Sequence, residues 1–330
     1  MTRIAAIALL SVCLISPDLF ADDGFTFSIN PVIGRIFGHT SYVMDAQTYD
    51  SVIGTYRMKS KLEFPLDISM AGATVGFTQY RAERKYLSVE LGFAMNVNDP
   101  GGAMKDHDWI GPTDRSLIKW SYTESEDDLK ALILTAEVAG RLYSRRNSEA
   151  FIFAGFKYQK LKQDVFGYEG WQLYSGEGGE IDTLFIADDT VKAMYYEVTY
   201  KTPLIGLKYC QGITSPFSAN LTAAYVMVLA SDVDDHFLRY KISTADGIGY
   251  GFYSDLYIRY IMSPKSNGIK PFITVGGEFL TMKVATDQTQ KWYGDDPISE
   301  EDDTGQVTSN IPHEISSTQF MLGLKLGIEF

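Results

Sequence analysis

Large apolar residues alternate with small or polar ones along much of this chain. The clearest case is its end. Phe320, Leu322, Leu324, Leu326, Ile328 and Phe330 are apolar, and Gln319, Met321, Gly323, Lys325, Gly327 and Glu329 stand between them. Successive strand side chains point to opposite faces, so period two predicts a strand with one apolar face and one mixed face. Residues 87–96 repeat it, with Leu87, Val89, Leu91, Phe93 and Met95 against Ser88, Glu90, Gly92, Ala94 and Asn96. So do residues 132–139, where only Ile133 breaks the rule, and residues 195–201 and 252–260. Glu90, Glu137 and Arg259 fall on inward positions. Such charges are expensive in a dry core, but in a small barrel they can pair or meet water.

The connections between these segments come in two kinds. Short ones lie near 81–85, 144–148, 214–217 and 263–270, and long polar ones near 99–121, 167–191, 231–246 and 286–313. Short turns alternating with long outer loops are the habit of outer-membrane barrels. Residues 25–43 and a run over 51–80 bring the total to about ten strands, a lumen that side chains largely fill. The expected fold is therefore all-β: a transmembrane antiparallel up-and-down β-barrel that extends above the membrane. The last strand, ending on Phe330, also resembles the signal read by outer-membrane assembly machinery.

The first residues fit export to that compartment. Arg3, an apolar run over 4–15 and Leu19-Phe20-Ala21 before Asp22-Asp23 form a signal peptide, with cleavage expected after Ala21. The run is too short to span a bilayer as a helix. Val12 is a poor residue before Cys13 for lipid attachment, and Cys210 is then left as the one cysteine, so no intramolecular disulfide forms. Residues 22–330 read as a single barrel domain. The formal net charge of −13 argues against nucleic acid and for cationic ligands.

Two polar segments carry unusual residues: Lys105-Asp106-His107-Asp108-Trp109 and Ser231-Asp232-Val233-Asp234-Asp235-His236. Between 220 and 229 the even positions are the polar or small ones, so they point inward. If that strand runs on above the membrane, Asp232, Asp234 and His236 project into the barrel mouth. Even parity on the earlier strand leads, across Asp99-Pro100-Gly101-Gly102, to Asp106 and Asp108. Such a cluster can activate water. Asp234 would fix the imidazole of His236 and stabilise it when protonated, and Asp106 and Asp108 would share a proton. The bland reading is a solvated acidic rim. A metal site would want a third imidazole or a thiolate.

These residues resemble the motifs of the omptins, a family of outer-membrane endopeptidases. The family has Asp-x-Asp-Trp in one outer loop and Asp-x-His within an acidic run in a later one. Here these are Asp106-His107-Asp108-Trp109 and Asp234-Asp235-His236. Similar flanking segments are Tyr200-Lys201-Thr202-Pro203-Leu204-Ile205-Gly206-Leu207, Thr113-Asp114-x-Ser116 and Leu324-Lys325-Leu326-x-x-Glu329-Phe330.

The resemblance implies an endopeptidase in which Asp234 and His236 activate the attacking water and Asp106 and Asp108 position it or stabilise the tetrahedral intermediate. It implies no metal, no cofactor and no covalent intermediate. Cleavage beside basic residues is implied, with Asp232 in the primary specificity pocket and Asp114 on the leaving-group side. There are departures. The stretch Gly38-His39-Thr40-Ser41-Tyr42-Val43 puts Ser41 or a neighbour where the family has a pocket Glu, which should weaken selection for Arg or Lys. Of the lipopolysaccharide-binding pattern, Phe156-Lys157-Tyr158-Gln159-Lys160 keeps an aromatic and Lys160, and Thr199 stands for an Arg, so lipopolysaccharide as activator is in question. Partners implied are cationic peptides or proteins and outer-membrane lipid, with the barrel a monomer and its site facing outside. The alternatives are a non-catalytic adhesin or receptor and a narrow channel.

Overall fold

The computed structural model describes residues 24–50, 54–81, 84–113, 115–175, 180–262, 269–297 and 302–330; the leader expected over residues 1–21 lies outside them. Twelve strands are found among the described residues. They are β1 (Phe25–Asp50), β2 (Gly54–Pro65), β3 (Ile68–Arg81), β4 (Arg84–Asn96), β5 (Met104–Pro112), β6 (Ile118–Arg145), β7 (Ser148–Ser175), β8 (Ile181–Thr214), β9 (Phe217–His236), β10 (Lys241–Ile261), β11 (Lys270–Trp292) and β12 (Val307–Glu329). One 3-10 turn, Phe237–Arg239, joins β9 to β10.

Strands β1, β3, β4 and β6 to β12 form a closed antiparallel ring, with β12 pairing back to β1. Closure leaves no unpaired edge, which a bilayer requires. Above the ring's lower half, β2 and β5 fill the span between β1 and β6. Pairs β2/β3 and β4/β5 are thus two interrupted strands, and the barrel has the ten staves expected.

Alternation explains the lower half. Phe27, Ile29 and Ile33 on β1, Ile205 and Leu207 on β8, Leu221, Tyr225 and Met227 on β9, and Leu322, Leu326 and Ile328 on β12 are all exposed on the outside. This is the lipid-facing band. Inside, the charges find partners: Lys325 reaches Glu90 at 3.4 Å, Arg259 reaches Glu329 at 2.7 Å, and Lys208 binds Glu137. They border a cavity of about 560 Å³. Cys210 lies beside the buried Phe151 and Phe153.

Above the band the polarity inverts while the parity does not. On β8, Tyr196, Val198 and Tyr200 now face inward and are fully buried, with Glu197 and Lys201 outside. Val226 and Val228 of β9 do the same. With Leu62, Phe64, Leu129, Leu161, Val284 and Ile315 they make one apolar core inside the upper barrel. Each such side chain contributes roughly 1.5–3 kcal/mol on burial. Ile133, the exception to alternation in its segment, belongs to this core.

The long polar segments are not the loops their composition suggested. Strand β7 has 28 residues and β8 has 34, whereas about ten tilted residues cross a bilayer. Residues 231–236 and 286–292, and most of 167–191, continue as hydrogen-bonded strand. Their outer face meets water instead of lipid, and register shifts occur between Val165 and Tyr168 and between Gln288 and Gln290, so the clean alternation disappears from the sequence.

Gly38 sits where β1 changes partner, residues 25–36 pairing with β3 and 39–50 with β2. Its φ is 114°, its carbonyl accepts the Leu66 N–H at 2.9 Å, and an added Cβ would lie 2.0 Å from the Thr318 carbonyl oxygen. Gly38→Ala should therefore cost about 2 kcal/mol or more. The expected outcome is unfolding at lower temperature, read as conversion of the fast-migrating folded band on gels; an unchanged midpoint would mean that the seam relaxes freely.

Candidate active site

The inward face of β9 runs Val226, Val228, Ala230, Asp232, Asp234, His236 without a break in alternation. Pairing with β8 and β10 holds it: Asp234 lies between Tyr196 and Ser243, and His236 between Met194 and Lys241. The expected projection into the barrel mouth is therefore what the structure shows. Across the lumen, β5 carries Asp106 opposite Leu62 and Asp108 opposite Ser60 of β2. Asp108 accepts the Ser121 hydroxyl at 2.7 Å. His107 and Trp109 of the same motif face outward; His107 stacks on Trp109 and meets Glu63 at 3.3 Å.

His236 Nε2 is 3.4 Å from Asp234 Oδ2. The same oxygen accepts the Tyr42 hydroxyl. Burial by itself would raise the Asp234 carboxyl, but the charge and hydrogen bond of His236, the Tyr42 bond and the charge of Lys241 outweigh it and hold the group below its ordinary value. Asp106 goes the other way. Burial pushes it well above the usual carboxylate range, and the charges of Asp108 and Asp234 add to the push. The two walls thus present one carboxylate that loses its proton readily and one that keeps it. Asp106 Oδ1 and Asp234 Oδ1 are both buried and accept no hydrogen bond among the described residues.

One layer deeper, Asp232 Oδ2 takes His313 Nε2 at 2.8 Å and the Tyr196 hydroxyl at 3.2 Å. The Tyr42 ring lies 5.0 Å from that of His313 and 5.4 Å from that of Tyr196, and Tyr196 stacks on Phe64 at 4.3 Å. Burial raises the Asp232 carboxyl, with the His313 bond opposing.

Ser41 is not part of this cluster. It lies on the opposite face of β1 from Thr40 and Tyr42, and its hydroxyl pairs with that of Ser316 at 3.0 Å. The inward neighbours are Tyr42, on Asp234, and Thr40, on the Tyr200 hydroxyl at 2.6 Å. The resemblance named Ser41 or a neighbour without saying which of them faces inward. Asp114 lies outside the described residues. Lys160 faces outward and is engaged by Glu197 at 2.5 Å, with Lys162 on the second Glu197 oxygen at 3.3 Å.

Sequence reasoning missed Tyr42, His313 and Lys241. Parity on the last strand, carried from Gln319 up through Ser317 and Ile315, would have marked His313 as inward. Among the described residues no group of three or more His, Cys, Asp or Glu side chains is arranged to hold a metal.

A closed ring with an apolar outer band, and a carboxylate–imidazole groove above that band, defines an outer-membrane-type β-barrel with a titratable site held clear of the lipid. The chain belongs to the omptin family, whose model matches residues 43–275. The solved structure of outer membrane protease OmpT from Escherichia coli is similar, at 15% identity and a TM-score of 0.69, covering 93% of this chain and 98% of that one. A FadL homologue of Pseudomonas aeruginosa is far more distant, at 8% identity, coverages of 92% and 90%, and a TM-score of 0.23. No curated protein matches the chain in sequence.

Because the Asp234 carboxyl is held below its ordinary value, its ionised form stabilises the upper barrel above the unfolded pKa. That contribution fades as pH falls through the lowered value. Tyr42→Phe removes one of the groups responsible. The Asp234 titration, followed by carboxyl NMR on aspartate-labelled barrel in detergent, should move to higher pH; an unmoved titration would show that the hydroxyl bears no part of that charge.

Proposed function

We propose that this chain is an outer-membrane endopeptidase, hydrolysing peptide bonds with water activated by Asp234 and His236 on one wall and oriented by Asp106 and Asp108 on the other. The observation that carries the reading is the meeting of two walls in one groove, Asp234 with His236 Nε2 3.4 Å away on β9 and Asp106 with Asp108 on β5, in surroundings that tune Asp234 and Asp106 in opposite directions. Pairs of carboxylates whose environments drive their proton affinities apart are how a site divides base and acid roles. Family membership and the fold shared with the OmpT protease support it.

In this mechanism His236 takes a proton from water as the oxygen attacks the peptide carbonyl, and Asp234 stabilises the resulting imidazolium. Asp106, holding its proton, donates a hydrogen bond to the oxyanion or to the water, with Asp108 beside it steadied by Ser121. His236 then returns the proton to the departing amine. No acyl-enzyme, metal or organic cofactor takes part. Lys241, paired with His236 across β9 and β10, adds positive charge near both Asp234 and Asp106.

The groove opens at the end of the barrel opposite the short turns, so the site faces outside and meets extracellular peptides. The ring has no free edge, and the barrel works as a monomer. Lipopolysaccharide, met at the outward Lys160, is an activator to be tested rather than a component of the site.

His236→Ala and Asp234→Ala should each lower peptide cleavage by at least about a hundredfold, while both variants still assemble into heat-modifiable barrels. Cleavage of a peptide library would be followed by mass spectrometry in detergent, with and without lipopolysaccharide. Undiminished cleavage in both variants would sink the mechanism; a folded wild type that cuts nothing would favour a non-catalytic adhesin or receptor.

A further inference from the structure

Inward positions on β9 step down the groove wall from His236 to Asp234 to Asp232. A substrate side chain that passes beneath the Asp234–His236 pair therefore meets the layer of Asp232. A bare buried carboxylate there would be a receptor for a guanidinium or an ammonium group, since a charge-assisted hydrogen bond in a dry site is strong and selective. The sequence invites that expectation, with its acidic run and its net charge of −13.

The structure answers it differently. Asp232 Oδ2 is already bound by His313 Nε2 at 2.8 Å, from the last strand, and by the Tyr196 hydroxyl at 3.2 Å. The space around it is filled. Asp232 is 5% exposed, His313 4%, Tyr42 4%, and Tyr196 and Phe64 0%. Their rings pack on one another at centroid separations of 4.3 to 5.4 Å. His313 Nδ1 is buried with no hydrogen-bond partner among the described residues, so the Asp232 contact is the one polar contact of its ring. A cationic side chain reaching Asp232 would have to expel the imidazole from its one polar contact and leave it unpaired in an apolar layer, a substantial penalty. The next charge up, Asp234, is engaged by His236 and Tyr42 and feels Lys241.

We infer that His313 sets the side-chain preference of the groove: by occupying Asp232 it closes the floor to Arg and Lys, so that peptides are accepted with an uncharged side chain beside the scissile bond. The inference rests on the endopeptidase reading for its substrate, and on the geometry alone for the closed floor. His313 is a specificity-determining residue and touches no reacting atom.

The two layers can be tested separately. The floor is probed by binding of benzamidinium, a flat amidinium cation, to the refolded full-length barrel in detergent, measured by calorimetry. The wild type should bind it weakly or not at all. His313→Ala, which frees the carboxylate and opens the space of an imidazole, should bind it at least about tenfold more tightly, and adding Asp232→Asn should abolish the gain. His313→Asn serves as a second variant should the alanine form assemble poorly, with heat-modifiability as the check on folding. Preference is then read from cleavage of paired peptides bearing Arg or a neutral residue at the same position. Wild type should favour the neutral peptide, and His313→Ala should shift the ratio of kcat/KM values toward Arg by at least about tenfold. If wild type already binds benzamidinium and cuts beside Arg as well as the variant does, the inference is overturned and the endopeptidase stands. If folded wild type cuts nothing but the variant gains benzamidinium, the closed floor stands and the endopeptidase reading falls. If neither His313 variant gains binding, the inference is overturned whatever is cleaved.

Discussion

The backbone ladder that runs unbroken along β9 from the lipid band to the rim is the constraint on which the rest depends. A strand with continuous hydrogen bonding cannot change which side chains point inward without a bulge. On β9 the same even positions carry Thr222 in the lower lumen, Val226 and Val228 in the upper core, and Asp232, Asp234 and His236 at the site. What changes with height is the surroundings. Below, the outside is lipid, so apolar residues face out and charges pair within. Above, the outside is water, so apolar residues turn in and pack. The site sits on top of that apolar core, and this is why its carboxylates feel burial strongly enough to be driven apart.

That placement settles which electrostatic effect dominates. At the barrel surface, a salt bridge is worth little, because water and salt screen it. Over the plug formed by Phe64, Tyr196 and Tyr200, desolvation is the leading influence on Asp106, Asp232 and Asp234 alike. The three differ only in what opposes it. Asp234 has His236, Tyr42 and Lys241 and ends low. Asp232 has His313 and Tyr196 and ends somewhat high. Asp106 has only the charge of Lys241 and the His107 N–H against it, with Asp108 and Asp234 adding to the push, and ends well above its ordinary value. Differences in proton affinity among three aspartates thus arise from neighbours within one layer, contributed by β8 and β10 on either side of β9 and by β1 and β12, which lie far from it in sequence.

How legible this was follows the same division. The lipid-facing half of each strand was readable because an apolar outside and a mixed inside produce alternation, and the terminal strand showed it from Gln319 to Phe330. The parity argument carried Asp232, Asp234 and His236 into the mouth correctly because no bulge intervenes on β9. It carried Asp106 and Asp108 there across a break between β4 and β5, where the even count happens to survive. Ser41 was named by resemblance and not by parity, and the structure turns its neighbours Thr40 and Tyr42 inward instead. His313 was hidden for another reason: Pro312 and the polar run before it read as loop, although Pro312 takes a ladder position opposite Asp287. The upper strands were missed wherever both faces are polar enough to look like connections.

An acidic sequence is weak evidence for a cation-binding site, and this groove shows why. Charge counted along a chain takes no account of which carboxylates are already answered. Asp232 and Asp234 sit two residues apart in an acidic run, and each meets an imidazole, one from the adjacent residues of its own strand and one from β12. The first pairing leaves an imidazole at the groove surface, able to exchange protons with water. The second is sealed beneath aromatic rings and can exchange little. Two Asp–His contacts of similar chemistry are thus fitted to different tasks by depth alone. The one near the opening is suited to handling a proton, and the one beneath it to deciding which side chains may approach.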